Sequence, residues 1–142
     1  MAATGVLYNS SEGDILRGTI DIAGGEFYAM FTTNGYTQNR DTHTRRSDIT
    51  NEISGTGYTA GGAAIPVAIS SVDNTNDRQE ITVGPITITG LTASNVERMV
   101  VYQRIGGAST GDPLLVCVSN SAAVSPAAGT LTVPAFTIRR AL

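Results

Sequence analysis

Tryptophan and lysine are both missing from this 142-residue chain, and cysteine and histidine each occur once. A single thiol, Cys117, cannot close an internal disulfide, and with a single imidazole, His43, there is no Cys/His set for a zinc site. Charged residues make up 15% of the chain, against about 25% in an ordinary globular domain, and all nine basic residues are Arg. The net charge of −3 is opposite in sign to the electrostatic footprint of a nucleic-acid-binding domain. No apolar run approaches the roughly 20 residues of a bilayer-crossing helix. Met1-Ala2-Ala3-Thr4-Gly5 has neither the charged nor the apolar region of a secretion signal, so synthesis in a cytoplasm is expected. Two readings of the sparse charge stay open. The surface is partly covered by a partner protein, because interfaces are depleted of charge and of Lys in particular, or it is the Thr-rich surface of a β-protein.

Hydrophobic residues are 41% of the chain, with 16 glycines beside them, which suffices for one core and a single β domain over residues 1–142. The dominant period is two. Ile86-Thr87-Ile88-Thr89 and Leu131-Thr132-Val133 alternate apolar and polar between Gly and Pro, the pattern of half-buried strands. Runs rich in β-branched and aromatic residues over 15–22, 27–33, 65–72, 78–83, 96–105 and 114–118 are separated by Gly, Asn, Asp and Pro turns. About eight short strands follow. Without a long helical pattern to supply parallel crossovers, the expected fold is mainly β, an antiparallel sandwich or barrel.

Residues 42–62 depart from this pattern. Over 42–53 the only apolar residues are Ile49 and Ile53, spaced i and i+4, with Thr42 or Thr44 as N-cap and Gly55 as terminator, which predicts one short helix. The following Ser54-Gly55-Thr56-Gly57-Tyr58-Thr59-Ala60-Gly61-Gly62 has four glycines in nine residues and reads as a Gly-rich arm.

The stretches Phe31-Thr32-Thr33-Asn34-Gly35-Tyr36-Thr37, Asp41-Thr42-His43 and Asp48-Ile49-Thr50-Asn51-Glu52-Ile53, continuing through Gly62, resemble a family of small structural proteins from tailed bacteriophages. The likeness extends upstream to residues 14–21. Downstream it takes in the turn Asp73-Asn74-Thr75-Asn76-Asp77-Arg78, the strand at Val100-Val101-Tyr102 and Pro113-Leu114-Leu115. It departs from the family in lacking tryptophans, whose regions hold Ile86-Thr87-Ile88 and Phe136 here, and in the tail over 133–142. The resemblance implies a virion component on the capsid exterior. The expected role is capsid decoration (cement), with the major capsid protein and further copies of the same chain, a homotrimer by family analogy, as partners. A tail- or fibre-associated receptor- or glycan-binding module is the alternative, disfavoured because Tyr28, Tyr36, Tyr58 and Tyr102 are scattered along the chain.

The residue chemistry agrees with a non-enzymatic role. Cys117 sits in the apolar run Leu114-Leu115-Val116-Cys117-Val118, where cysteine acts as a small hydrophobe, so catalysis by Cys117 and His43 is not expected. Asp73 and Asp77 lie among turn formers, which favours a tight turn over acid–base work or a calcium site that lacks the EF-hand spacing. No cofactor, metal, membrane or nucleic-acid partner is expected. The Arg40, Arg45 and Arg46 cluster, interleaved with Asp41 and Asp48, suits carboxylate pairing better than phosphate contact. The candidate inter-subunit or capsid contact residues are Arg45, Arg46, Asp48 and Glu52 on the helix, and Gly55, Gly57, Tyr58, Gly61 and Gly62 in the arm. As exposed ion pairs, the two arginines would contribute little to the single chain's stability. Arg139-Arg140 and the chain ends, including Thr4-Gly5, read as segments docked on neighbours.

Overall fold

A computed structural model describes residues 5–141. Among them are ten strands: β1 (Gly5–Leu7), β2 (Phe27–Thr33), β3 (Ala63–Ala64), β4 (Val67–Ile69), β5 (Arg78–Val83), β6 (Ile86–Leu91), β7 (Val96–Gln103), β8 (Leu114–Val124), β9 (Gly129–Val133) and β10 (Phe136–Ala141). One α-helix, α1, spans Asn9–Leu16. The fold is mainly β and antiparallel, and its sheets stay open, so the barrel alternative is corrected to a layered arrangement of open sheets.

Five strands form one sheet in the order β1-β8-β7-β2-β3. Against it lies a ribbon. β5 runs on into β6 and β9 into β10, and the pairs Val83↔Phe136 and Ile86↔Val133 flank the junctions Gly84-Pro85 and Pro134-Ala135. The ladder is interrupted there, where proline has no N–H to contribute. β4 adds to the edge of β5.

Burial explains which strands alternate. β6 and β9 keep period two because one face is covered, with Ile86, Ile88, Leu131 and Val133 pointing inward and the threonines between them outward. β7 and β8 lose the alternation because the five-stranded sheet is covered on both faces. Ala29, Phe31, Met99, Val101, Val116 and Val118 pack with the ribbon's Ile81, Val83, Ile86, Ile88, Val133 and Phe136 in the main core. Met30, Val100, Tyr102, Leu114 and Cys117 form a second cluster with Tyr8 and Tyr36. Since adjacent residues of a strand point to opposite faces, Met30 and Val100 place this second cluster on the sheet's other side. The loops around residues 34–53 cover it.

Two expectations about local structure are corrected. Residues 42–53 do not form a helix; only the 3-10 turn Arg46–Asp48 is present, and Asn51 takes a positive φ of 59°. Ile49 and Ile53 then serve different clusters, Ile53 in the main core and Ile49 against the second one. Residues 15–22 are not a strand but the end of α1 and the turns after it, although Ile20 and Ile22 are buried as an apolar reading expects. The helix itself carries no apolar stripe in Asn9-Ser10-Ser11-Glu12-Gly13-Asp14-Ile15-Leu16. It is held mostly by polar groups, the Ser11 hydroxyl donating to the Tyr8 carbonyl at 2.7 Å and the Asp14 carboxylate buried against Arg45, with the half-buried Ile15 packing on the main core. Within the tail, β10 pairs with β5 of its own chain, and Arg139 Nε donates to Glu80 Oε1 at 3.0 Å. Thr4, the Arg140 side chain and Leu142, which carried part of the docking-tail expectation, lie outside what is described.

Candidate functional site

The segment expected to bear the site is tied down residue by residue. Asp48 Oδ2 accepts the backbone N–H groups of Thr44 and Arg45 at 2.9 and 3.0 Å. These bonds close the 3-10 turn and hold the carboxyl below its usual range. The turn sends its two arginines to buried carboxylates remote in sequence. Arg45 Nη1 donates to Asp14 Oδ2 at 2.8 Å, 31 positions away, and Arg46 Nε to Asp112 Oδ2 at 2.8 Å, 66 positions away. Asp14 and Asp112 are 4% and 1% exposed at the side chain, and the arginines 30% and 26%. These are not exposed ion pairs, so the expectation that they contribute little to the single chain is overturned.

Glu52 and Tyr58 build the next layer. Glu52 Oε1 accepts the Tyr58 hydroxyl at 2.7 Å and the Gly61 N–H at 2.6 Å. The Tyr58 oxygen in turn accepts the Phe31 N–H at 3.2 Å, and its ring meets Phe31 edge-on with centroids 6.4 Å apart. Burial and the Glu52 carboxylate push the Tyr58 hydroxyl's pKa far up. Gly61's carbonyl accepts the Tyr102 hydroxyl at 2.6 Å.

The Gly-rich arm lies along its own chain. The N–H of Thr92 donates to the Thr56 carbonyl at 2.9 Å, and Gly57 backs onto the Gly90 carbonyl. Gly55 and Gly62, at φ 148° and 89°, approach so closely that a Cβ would sit 1.9 Å from the carbonyl oxygens of Thr92 and Ala29 respectively. Residues 51–53 and 63–65 hydrogen-bond to the outer edge of β2, so the glycines between them span a gap in a strand-like cover rather than project as a free arm.

Beside this segment opens a cleft of about 540 Å³ between residues 59–64 and the loop after β7. Two stacked pairs line it. Arg46 lies over the Tyr102 ring at 5.2 Å and Arg104 over the Tyr28 ring at 5.0 Å, while the two tyrosine centroids are 6.3 Å apart. Arg104 Nη1 also donates to the Tyr28 oxygen at 2.9 Å. The sheet thus joins Tyr28 and Tyr102, paired across β2 and β7, which sequence distance had kept apart. Arg104, Asp14 and Asp112 were not singled out from sequence; nothing local marks them, since their partners are supplied by other elements.

The thiol and imidazole are linked only through two tyrosines. The Asn39 N–H donates to His43 Nδ1 at 3.3 Å, so Nδ1 is an acceptor and the Tyr36 hydroxyl donates to it at 2.9 Å. The Tyr8 hydroxyl then donates to the Tyr36 oxygen at 2.9 Å, and Cys117 lies beside Tyr8. Burial pushes Tyr36 up to about 12 and Cys117 up to about 11, which suppresses the thiolate that a nucleophile needs. The native protein is expected to leave Cys117 unmodified by an aromatic disulfide reagent at mildly alkaline pH, with stoichiometric reaction only in denaturant. Prompt reaction of the folded protein would contradict this burial. The Asp73 carboxylate is spent on its turn, with Oδ1 accepting the N–H groups of Thr75 and Asn76.

No family model, curated protein or solved structure matches the chain.

Proposed function

We propose that the chain is a non-enzymatic structural protein of a tailed-phage virion, a decoration protein on the capsid exterior that bridges neighbouring major capsid subunits and assembles as a homo-oligomer, a trimer by family analogy. The observation that carries this reading is how the signature residues are used. Asp48 accepts the N–H groups of Thr44 and Arg45, while Glu52, Tyr58 and Gly61 are bonded to one another and to β2 or β7, so these residues of the resemblance are fixed together in one rigid surface. A rigid surface loses little conformational freedom on docking, which favours tight association. Stabilisation of the shell then follows from mass action, about 2.7 kcal/mol per site at a hundredfold excess over Kd.

The glycan-binding alternative gains the Tyr28 and Tyr102 pairing but loses the platform it needs, because Arg104 and Arg46 lie over those rings. Quantifying the protein in purified mature virions tests the proposal. A copy number comparable with that of the major capsid protein is expected. A small minority of copies, as for a tail or fibre component, would overturn it, and a monomer by light scattering at micromolar concentration would overturn the oligomer.

A further inference from the structure

The cleft beside the signature segment is lined by two guanidinium groups and two phenol hydroxyls, and its one lining carboxylate is already engaged. Asp112, the one carboxylate lining it, has both oxygens occupied: Oδ2 by Arg46 Nε and Oδ1 by the Ile105 N–H at 3.0 Å. The Gly61 carbonyl is occupied by the Tyr102 hydroxyl. What remains is donor capacity. Arg46 is held to Asp112 through Nε, which leaves Nη hydrogens on its fork, and Arg104, which has the Glu26 carboxylate within electrostatic reach, forms no salt bridge with a carboxylate within 4 Å among the described residues. Tyr28 accepts from Arg104 and keeps its own O–H to donate. Both guanidinium planes are oriented by tyrosine rings, which reduces the freedom lost when an anion binds.

We propose that this cleft is a carboxylate-recognition site and that its occupant is an acidic side chain presented by a partner protein. Arg104 is the principal contact, supported by Arg46 and the Tyr28 hydroxyl. A protein source is favoured over a free inorganic anion because Ile105, next to Arg104 in the chain, is 54% exposed, apolar surface that a protein would cover and a small ion would not. The inference rests on the docking reading only for which partner supplies the carboxylate.

The test titrates the ¹⁵N-labelled full chain with a capped four-residue peptide bearing two adjacent acidic side chains, with its Asn/Gln analogue, and with inorganic phosphate. The acidic peptide is expected to produce saturable shifts of the Gly61, Gly62 and Gly107 amides. The amide analogue and the Arg104→Gln variant should each bind about tenfold more weakly, as the loss of a charge-assisted hydrogen bond implies. Arg104 is exposed, so this variant keeps the fold; Tyr28→Phe, which retains the stacking but not the O–H, should fall between it and the native protein. Equal binding of the two peptides, undiminished binding by Arg104→Gln, or phosphate binding tighter than the acidic peptide would each overturn the proposal. Measured beside virion copy number, failure in the titration with normal incorporation removes the cleft alone. Intact peptide binding with no incorporation removes the decoration reading alone.

Discussion

Reversing the charge of Arg46 is expected to remove about 3–5 kcal/mol of folding stability from the isolated chain, the range for stranding one partner of a buried ion pair. Asp112 is 1% exposed at the side chain, so removing the Arg46 cation leaves a largely desolvated carboxylate without its charged partner. Arg46→Glu places a second carboxylate against it and also strips the cation from the Tyr102 face. Urea unfolding would register this as a lower midpoint. Because Asn can still accept the Ile105 N–H that Asp112 Oδ1 now takes, the double variant Arg46→Gln with Asp112→Asn should recover part of the stability that Arg46→Gln alone loses. Arg139→Glu is the control: Arg139 is 63% exposed and its partner Glu80 is 27% exposed, so a change of about 1 kcal/mol or less is expected. Equal effects at Arg46 and Arg139 would show that the Asp112 pair is not stabilising as described. The same comparison bears on function, since loss of shell binding by an Arg46 variant would report unfolding before it reported a lost contact.

Gly62→Ala is expected to destabilise by on the order of 4 kcal/mol or more, the range reached when a defined steric mechanism has no relief. Two causes combine. A φ of 89° is costly for any residue with a Cβ, and that Cβ would lie 1.9 Å from the Ala29 carbonyl oxygen. Ala29 is held from behind, because on its other side it pairs with Val101 of β7, the central strand of the five-stranded sheet. Gly106→Ala separates the causes. Gly106 has the same φ of 89° with nothing within 4 Å of its would-be Cβ, so only the backbone penalty of about 1–2 kcal/mol should appear. Thermal or urea unfolding of both variants measures the difference. Comparable losses would mean that the contact with β2 is absent in solution and that residues 54–62 form a free arm after all.

Sequence by itself determined the elements that local chemistry can decide. β5 falls on the expected residues 78–83 because a β-branched run is bounded by the Asp73 turn on one side and Gly84-Pro85 on the other. β6 and β9 were visible because one covered face imposes period two. The core position of Cys117 followed from its apolar neighbours, and the mainly β class from the absence of any long helical pattern. Tertiary structure decided the segments whose partners lie far along the chain. Residues 42–53 carry two isoleucines at helical spacing, yet the Asp48 bonds to Thr44 and Arg45 and the pull of Asp14 and Asp112 on Arg45 and Arg46 outweigh a weak helical preference. Residues 9–16 have no apolar stripe, and the helix there is held by Ser11 and Asp14 with Ile15 as a single apolar contact on the main core. The cleft was not legible for the same reason. Tyr28 meets Tyr102, and Arg46 meets Asp112, only after β2, β7 and the loop beyond β7 have paired, and nothing in the neighbourhood of either residue encodes a partner more than sixty positions away.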